Sequence, residues 1–166
     1  MQERYKCKLA VFLVITRTTE NGEEILLQRR CNTSYMNGKY DMACSGHVEQ
    51  GESLVHAVSR EAFEELGIEV DEHDLEFLHL YDPSAEEGIL NLFYRPKKYT
   101  GIPTIKESDK CDDLSWFSID NLPENIIPCV GKAIECMRKG ILYDDFSFSF
   151  LEESNQDENT SGSFRV

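Results

Sequence analysis

The sequence predicts an α/β domain, and three observations carry that prediction. Short β-branched and aromatic runs recur along the chain, two segments show the three-and-four spacing of amphipathic helices, and the two kinds of segment interleave. A length of 166 residues with 40% hydrophobic residues is enough for one core, so one domain is expected.

A strand is expected over residues 8–15, and the pair Asn21-Gly22 turns it into a second at 25–29, a hairpin signal. A polar loop, 32–39, leads to a short strand at 40–44 that stops at Ser45-Gly46. From 53 to 66 the pattern is helical, with Leu54, Val55, Val58, Ala62 and Leu66 on one side. Ser53 caps its start, and Gly67 ends it in the left-handed conformation. Further strands are expected at 68–70, 75–81, 89–94 and 114–117, broken by Pro83 and by residues 101–103. A second helix is expected at 126–138, closed by Gly140. Phe146, Phe148 and Phe150 alternate as in a half-buried strand spanning 143–150, packed on the sheet or on a second subunit, and 152–166 is a polar tail.

Seventeen Lys and Arg stand against 31 Asp and Glu, a net charge of −14. Nonspecific nucleic-acid binding depends on cations that displace counterions, so a nucleic-acid polymer is not an expected partner. Small phosphorylated substrates remain open, because carboxylates holding divalent cations reverse the local sign. No stretch approaches the roughly 20 apolar residues of a membrane helix, and the first residues lead into no apolar signal core. A soluble cytoplasmic protein with no membrane partner is expected. Cys7, Cys31, Cys44, Cys111, Cys129 and Cys136 form no CxxC pair, and reduced thiols are expected.

The chemistry concentrates in residues 46–68. Glu61 precedes Glu64 and Glu65 by three and four residues, so on an α-helix their carboxylates crowd one edge, with Cβ atoms about 5–6 Å apart. At an effective dielectric of about 20 such a pair repels by roughly 3 kcal/mol. Arg60 is the sole nearby cation. A divalent cation would offset the repulsion, and oxygen-only ligands suit Mg²⁺ or Mn²⁺. Such an ion bridges polyphosphate oxygens and lowers the pKa of a bound water, leaving a free carboxylate to accept its proton. The pattern therefore points to metal-assisted hydrolysis of a phosphoanhydride.

Gly46, Glu52, Arg60, Glu61, Ala62, Glu64, Glu65, Gly67 and Ile68 fill every position of the pattern G-x5-E-x7-R-E-U-x-E-E-x-G-U, with U apolar. The chain thereby resembles the Nudix hydrolases. The resemblance implies a Nudix fold, an α/β/α sandwich around a mixed β-sheet, with residues 1–140 as the hydrolase domain and 141–166 as a C-terminal extension. It implies Mg²⁺, with Mn²⁺ as a substitute, held by the Gly46 carbonyl, Glu61, Glu64 and Glu65. It also implies that Arg60 fixes the catalytic carboxylate with Glu52 as partner. The general base is then Glu61 or a later acid, for which Glu107 is the candidate and Asp113 the alternative. Relatives often read Pro-Gly-Gly where this chain has Cys44-Ser45-Gly46, which affects loop rigidity. Cys44 is read as a core residue or a redox-sensitive thiol, and His47 as a loop residue or a substrate contact.

Tyr35, Asn37 and Tyr40, on the loop before the box, are candidates to stack on and hydrogen-bond to a base. Residues 110–117 with Leu122-Pro123 resemble the corresponding region of MutT-like nucleoside triphosphate pyrophosphohydrolases. The expected reaction is therefore (d)NTP to NMP and pyrophosphate. The alternatives are an ADP-ribose or nucleotide-sugar pyrophosphatase, for which Pro83 is a hint, and a non-catalytic nucleotide-sensing module. A monomer or homodimer acting on a small nucleotide is expected.

Overall fold

The computed structural model describes residues 6–83 and 88–145. Its strands are β1 (Lys8–Leu13), β2 (Thr16–Thr19), β3 (Gly22–Arg30), β4 (Tyr40–Met42), β5 (Cys44–His47), β6 (Leu75–Tyr81), β7 (Ile89–Pro96), β8 (Cys111–Ser118) and β9 (Tyr143–Asp144). Helix α1 (Leu54–Glu61) runs into a π-helical turn (Ala62–Leu66), a 3-10 turn covers Glu72–Asp74, and α2 (Pro128–Arg138) follows β8.

The strands divide between two sheets. One is mixed, in the order β5-β1-β7-β6-β9, with β1/β7 and β6/β9 parallel and β1/β5 and β6/β7 antiparallel. The other is built on β3, which carries β8 on one edge and β2 and β4 end to end on the other. The expected strand 8–15 is thus shorter, and the hairpin at Asn21-Gly22 is made by a separate strand after it. β1 stops at Leu13, the chain crosses between sheets at the buried Val14 and Ile15, and the polar β2 forms the hairpin with β3. The expected run 40–44 divides at Ala43, which is fully buried where the chain changes sheets, and continues as β5 to His47. Residues 68–70 make only an isolated bridge, Glu69 with Thr100, instead of a strand.

Period-two alternation explains why the strands are apolar on both faces. Leu26, Val11 and Leu13 join Ala57, Val58, Ala62 and Leu66 on the α1 side. Ile25, Leu27 and Phe93 join Val130, Ala133 and Ile134 on the α2 side. The result is the α/β/α layering. Helix α2 starts two residues later than the spacing suggests, because Ile127 precedes Pro128 and is held extended, at φ −62 and ψ 124. β9 extends the mixed sheet, and the Ile141 carbonyl accepts from the buried His79 Nδ1 at 2.9 Å. The expected strand through Phe146, Phe148 and Phe150 and the tail 152–166 lie outside the described residues. Among the described residues no helix is long and apolar enough to cross a membrane.

Candidate functional site

Ser53 fixes the start of α1, its Oγ accepting from the His56 N–H at 3.1 Å. Gly67 closes the π turn with φ +67. Between them the last two glutamates of the box leave α-helical spacing. The π turn widens the helix after Glu61 and changes the azimuth of Glu64 relative to Glu65; such turns recur at functional sites.

Arg60 is the hub. It donates to Glu52 through two nitrogens, Nε at 3.2 Å and Nη2 at 2.9 Å, a two-point contact. Its Nη1 reaches Glu61 at 2.7 Å and Glu64 at 3.0 Å, and its Nη2 also donates to the His47 carbonyl at 3.1 Å. This guanidinium, with the Glu49 N–H at 2.6 Å, holds the Glu52 carboxyl down at about 2. Glu61 is instead pushed up by burial, against the pull of Arg60. Glu65 is pushed up to about 7, chiefly by burial and further by Glu61, although the Ser45 N–H donates to its Oε2 at 3.0 Å.

Gly46 lies against Glu61. A Cβ there would fall inside the Glu61 carboxylate, with Oε2 at 2.6 Å and the other carboxylate atoms closer still. The backbone at this point and that carboxylate can therefore be neighbours only with glycine. Glu107 reaches the same place by a separate route. The Thr104 and Lys106 N–H groups donate to the Leu66 and Glu65 carbonyls at 3.0 Å, which lays the loop along the π turn. Lys110 Nζ then holds both Glu107 oxygens, at 3.0 and 2.9 Å.

These groups share a cavity of about 960 Å³. Its acidic end holds Gly46, Glu61, Glu64, Glu65, Glu107 and Lys110. Its other end is walled by Phe12, stacked on Phe93 at 4.7 Å, with Gln28, Asn91, Ile127 and Val130. Tyr35 lines the cavity, but Asn37 and Tyr40 do not. Asn37 Oδ1 accepts from the Thr33 N–H at 3.3 Å, and the buried Tyr40 donates its hydroxyl to Asp113 at 2.6 Å with its ring edge on Phe117. Asp113 also accepts from Ser115 Oγ at 2.9 Å, so both its oxygens are engaged away from Glu61 and Glu65. Pro83 and His47 line the cavity as well. Cys44 is a core residue whose thiol burial and the neighbouring Glu65 and Glu61 push well up, so it is no reactive thiolate. The six cysteines are unpaired with one another.

The sequence reading missed Gln28, Arg30, Asp41 and the Phe12/Phe93 wall. One signal for them existed: the apolar run Ile25-Leu26-Leu27 gives way within the strand to Gln28-Arg29-Arg30, of which Gln28 and Arg30 share a face. The carboxylates fit a hard divalent ion in donor chemistry, glycine approach and the raised Glu61 and Glu65. Among the described residues no group of three or more His, Cys, Asp or Glu side chains is gathered for a metal ion; Arg60 Nη1 holds both Glu61 and Glu64.

Comparison with known proteins gives a concordant result. The model of the NUDIX domain matches residues 8–135. The NAD-capped RNA hydrolase NudC of Pseudomonas aeruginosa PAO1 is 31% identical over 114 residues, 69% of this chain and 37% of that protein. That of Stutzerimonas stutzeri is 29% identical over the same shares. The chain thus spans little more than a third of these curated relatives. Among solved structures, the MutT NUDIX hydrolase from Burkholderia pseudomallei superposes with a TM-score of 0.66 at 26% identity, covering 78% of this chain and 97% of that one. The MutT protein of Methanosarcina mazei Go1, at 22% identity, shares the fold with a TM-score of 0.65, over 83% and 97% of the two chains.

Proposed function

The chain belongs to the Nudix family, whose hydrolases act on pyrophosphate bonds, and from that membership we propose that it hydrolyses a nucleoside diphosphate linked to a second group. The observation that carries the reading is the cavity itself, acidic at one end around Gly46, Glu61 and Glu65 and aromatic at the other. Water adds across one P–O–P bridge, giving a nucleoside monophosphate and the phosphorylated leaving group. The Gly46 carbonyl, Glu61, Glu64 and Glu65 would hold Mg²⁺ or Mn²⁺, which supplies charge neutralisation on the phosphates and acidifies a water.

The chain's own groups do the rest. Arg60, anchored on Glu52, fixes the rotamer of Glu61 at the glycine. Glu61 takes the water's proton, or Glu107 does, since Glu107 shares the cavity and Asp113 is occupied by Tyr40 and Ser115. The hydrolase domain ends near residue 140, and 141–166 is an extension that begins by adding an edge strand.

A (d)NTP, cleaved to NMP and pyrophosphate, is the first substrate reading; it rests on the resemblance of residues 110–117 and Leu122-Pro123 to the MutT-like enzymes. A dinucleotide of NAD or ADP-ribose type is the second, favoured by the similarity to NudC. A panel of (d)NTPs, NAD, ADP-ribose, nucleotide sugars and an NAD-capped RNA, incubated with Mg²⁺, separates the two. Glu64→Gln and Glu65→Gln should each lower turnover by two or more orders of magnitude with the fold intact. Absence of product from every compound, or unchanged turnover in both variants, would sink the proposal.

A further inference from the structure

The cavity contains a second group of polar side chains that the hydrolytic chemistry leaves unused. Gln28 on β3 is only 8% exposed. Its backbone is spent in the ladder with Asp41 and Leu114, yet its carboxamide makes no hydrogen bond to any described residue. A buried amide without a partner costs about 1–3 kcal/mol. Among the described residues, the polar side-chain atoms both sealed from solvent and unpaired belong to Ser59 and His79. The Gln28 amide is therefore not sealed but opens onto the cavity it lines.

Its buried neighbour gives it no partner. Asp41 accepts from the Met42 N–H at 2.8 Å and from Arg30 Nη1 at 3.1 Å, so the charge beside Gln28 is already balanced. Asn91 on β7, opposite Ala10, lines the same cavity, and its carboxamide likewise has no hydrogen bond among the described residues. Asn91 and Phe93 share a face of β7, as Ala10 and Phe12 share one of β1, so this second amide borders the stacked aromatic wall.

We infer that Gln28 and Asn91 determine specificity by reading the hydrogen-bonding edge of a purine base whose ring lies in the aromatic end of the cavity. A carboxamide is neutral and offers one acceptor beside one donor, which matches a ring edge carrying the same pair and gains nothing from a charged or bare edge. The inference rests on the proposed nucleotide substrate for the identity of the ligand.

Ligand-observed NMR titration without metal tests it independently of turnover, using AMP, IMP and the 5′-monophosphate of unsubstituted purine riboside. The wild type should bind AMP or IMP about tenfold more tightly than the unsubstituted purine, because a site built to pair a polar group rejects the analogue that lacks it. In Gln28→Leu that ratio should fall toward one, and Asn91→Leu should reduce it. Gln28→Glu keeps the acceptor and loses the donor, so it should also shift that ratio; because the unsubstituted purine must still bind for a ratio to be read, mere loss of folding does not produce the change. A wild-type ratio near one, or ratios unchanged in all three variants, would overturn the inference. Base selectivity that follows Gln28 in a protein inactive on the whole hydrolysis panel would overturn the proposed function and leave the base reading standing.

Discussion

Replacing Gly46 with alanine isolates the geometry of the acidic end. The backbone at Gly46 does not lie in the left-handed region, so the substitution brings no conformational strain. Its whole effect is steric. The new Cβ would meet the Glu61 carboxylate, with Oε2 at 2.6 Å, whereas unstrained carbon contacts begin near 3.5 Å. The obstructing atoms are the far end of a flexible side chain, so the carboxylate yields by at least about 1 Å while the strand stays in place. The 2.7 Å contact from Arg60 stretches with it. Misplacement of a reacting group by about 1 Å costs about 10²-fold in rate. Gly46→Ala should therefore lose about two orders of magnitude in kcat/KM, measured on whichever compound the panel identifies, with a melting temperature within a few degrees of wild type. Because the damage passes through Glu61, Gly46→Ala added to Glu61→Ala should cost almost nothing further, a coupling that a double-mutant cycle reads directly. Additive losses, or activity within threefold of wild type in the folded single variant, would refute the reasoning.

Two further predictions concern ionisation and packing. Glu65 titrates at about 7 in the folded protein against 4.5 as a free side chain, so between those values the folded state holds the extra proton. Stability without metal should then fall as pH rises through that window, by up to about 3 kcal/mol at about 1.4 kcal/mol per unit. Chemical denaturation in EDTA at pH 5 and pH 8 should show the loss; Glu65→Gln should flatten it, and millimolar Mn²⁺ should offset it with release of a proton. Equal slopes in wild type and Glu65→Gln would refute the assignment. Tyr40→Phe removes one buried hydrogen bond to Asp113 and should cost about 0.5–1.5 kcal/mol of stability while KM for the substrate changes less than threefold. A tenfold rise in KM would return Tyr40 to the substrate site.

What could be read in the sequence was local. Ser53, the apolar stripe of α1 and the left-handed Gly67 are set by residues within a few positions of one another, and each stands where the spacing put it. Sheet assignment was not local. Nothing in the continuous apolar run 8–15 marks Val14 and Ile15 as the crossing between sheets, because both sheets bury such residues equally. Glu107 was legible as an acid on a loop. Its position is set by two backbone hydrogen bonds to the π turn about forty residues earlier, for which side-chain identity carries no signal. Gln28 was read as part of a strand, and only the tertiary structure shows that its amide has no hydrogen-bond partner among the described residues.

The charge argument changes most. Repulsion of roughly 3 kcal/mol between neighbouring glutamates assumed α-helical spacing and no relief. The π turn alters that spacing, and Arg60 Nη1 bridges Glu61 and Glu64. Glu61 and Glu65 remain pushed up by burial in spite of Arg60 and the Ser45 N–H, and each is raised further by other acids, Glu107 included. A cation entering beside Gly46 therefore competes with protons at Glu65 and with Arg60 for Glu64. Its affinity should rise with pH through about 7, and if Glu61 and Glu64 serve as ligands, as proposed, both would have to loosen their contacts with Arg60 Nη1 to take it.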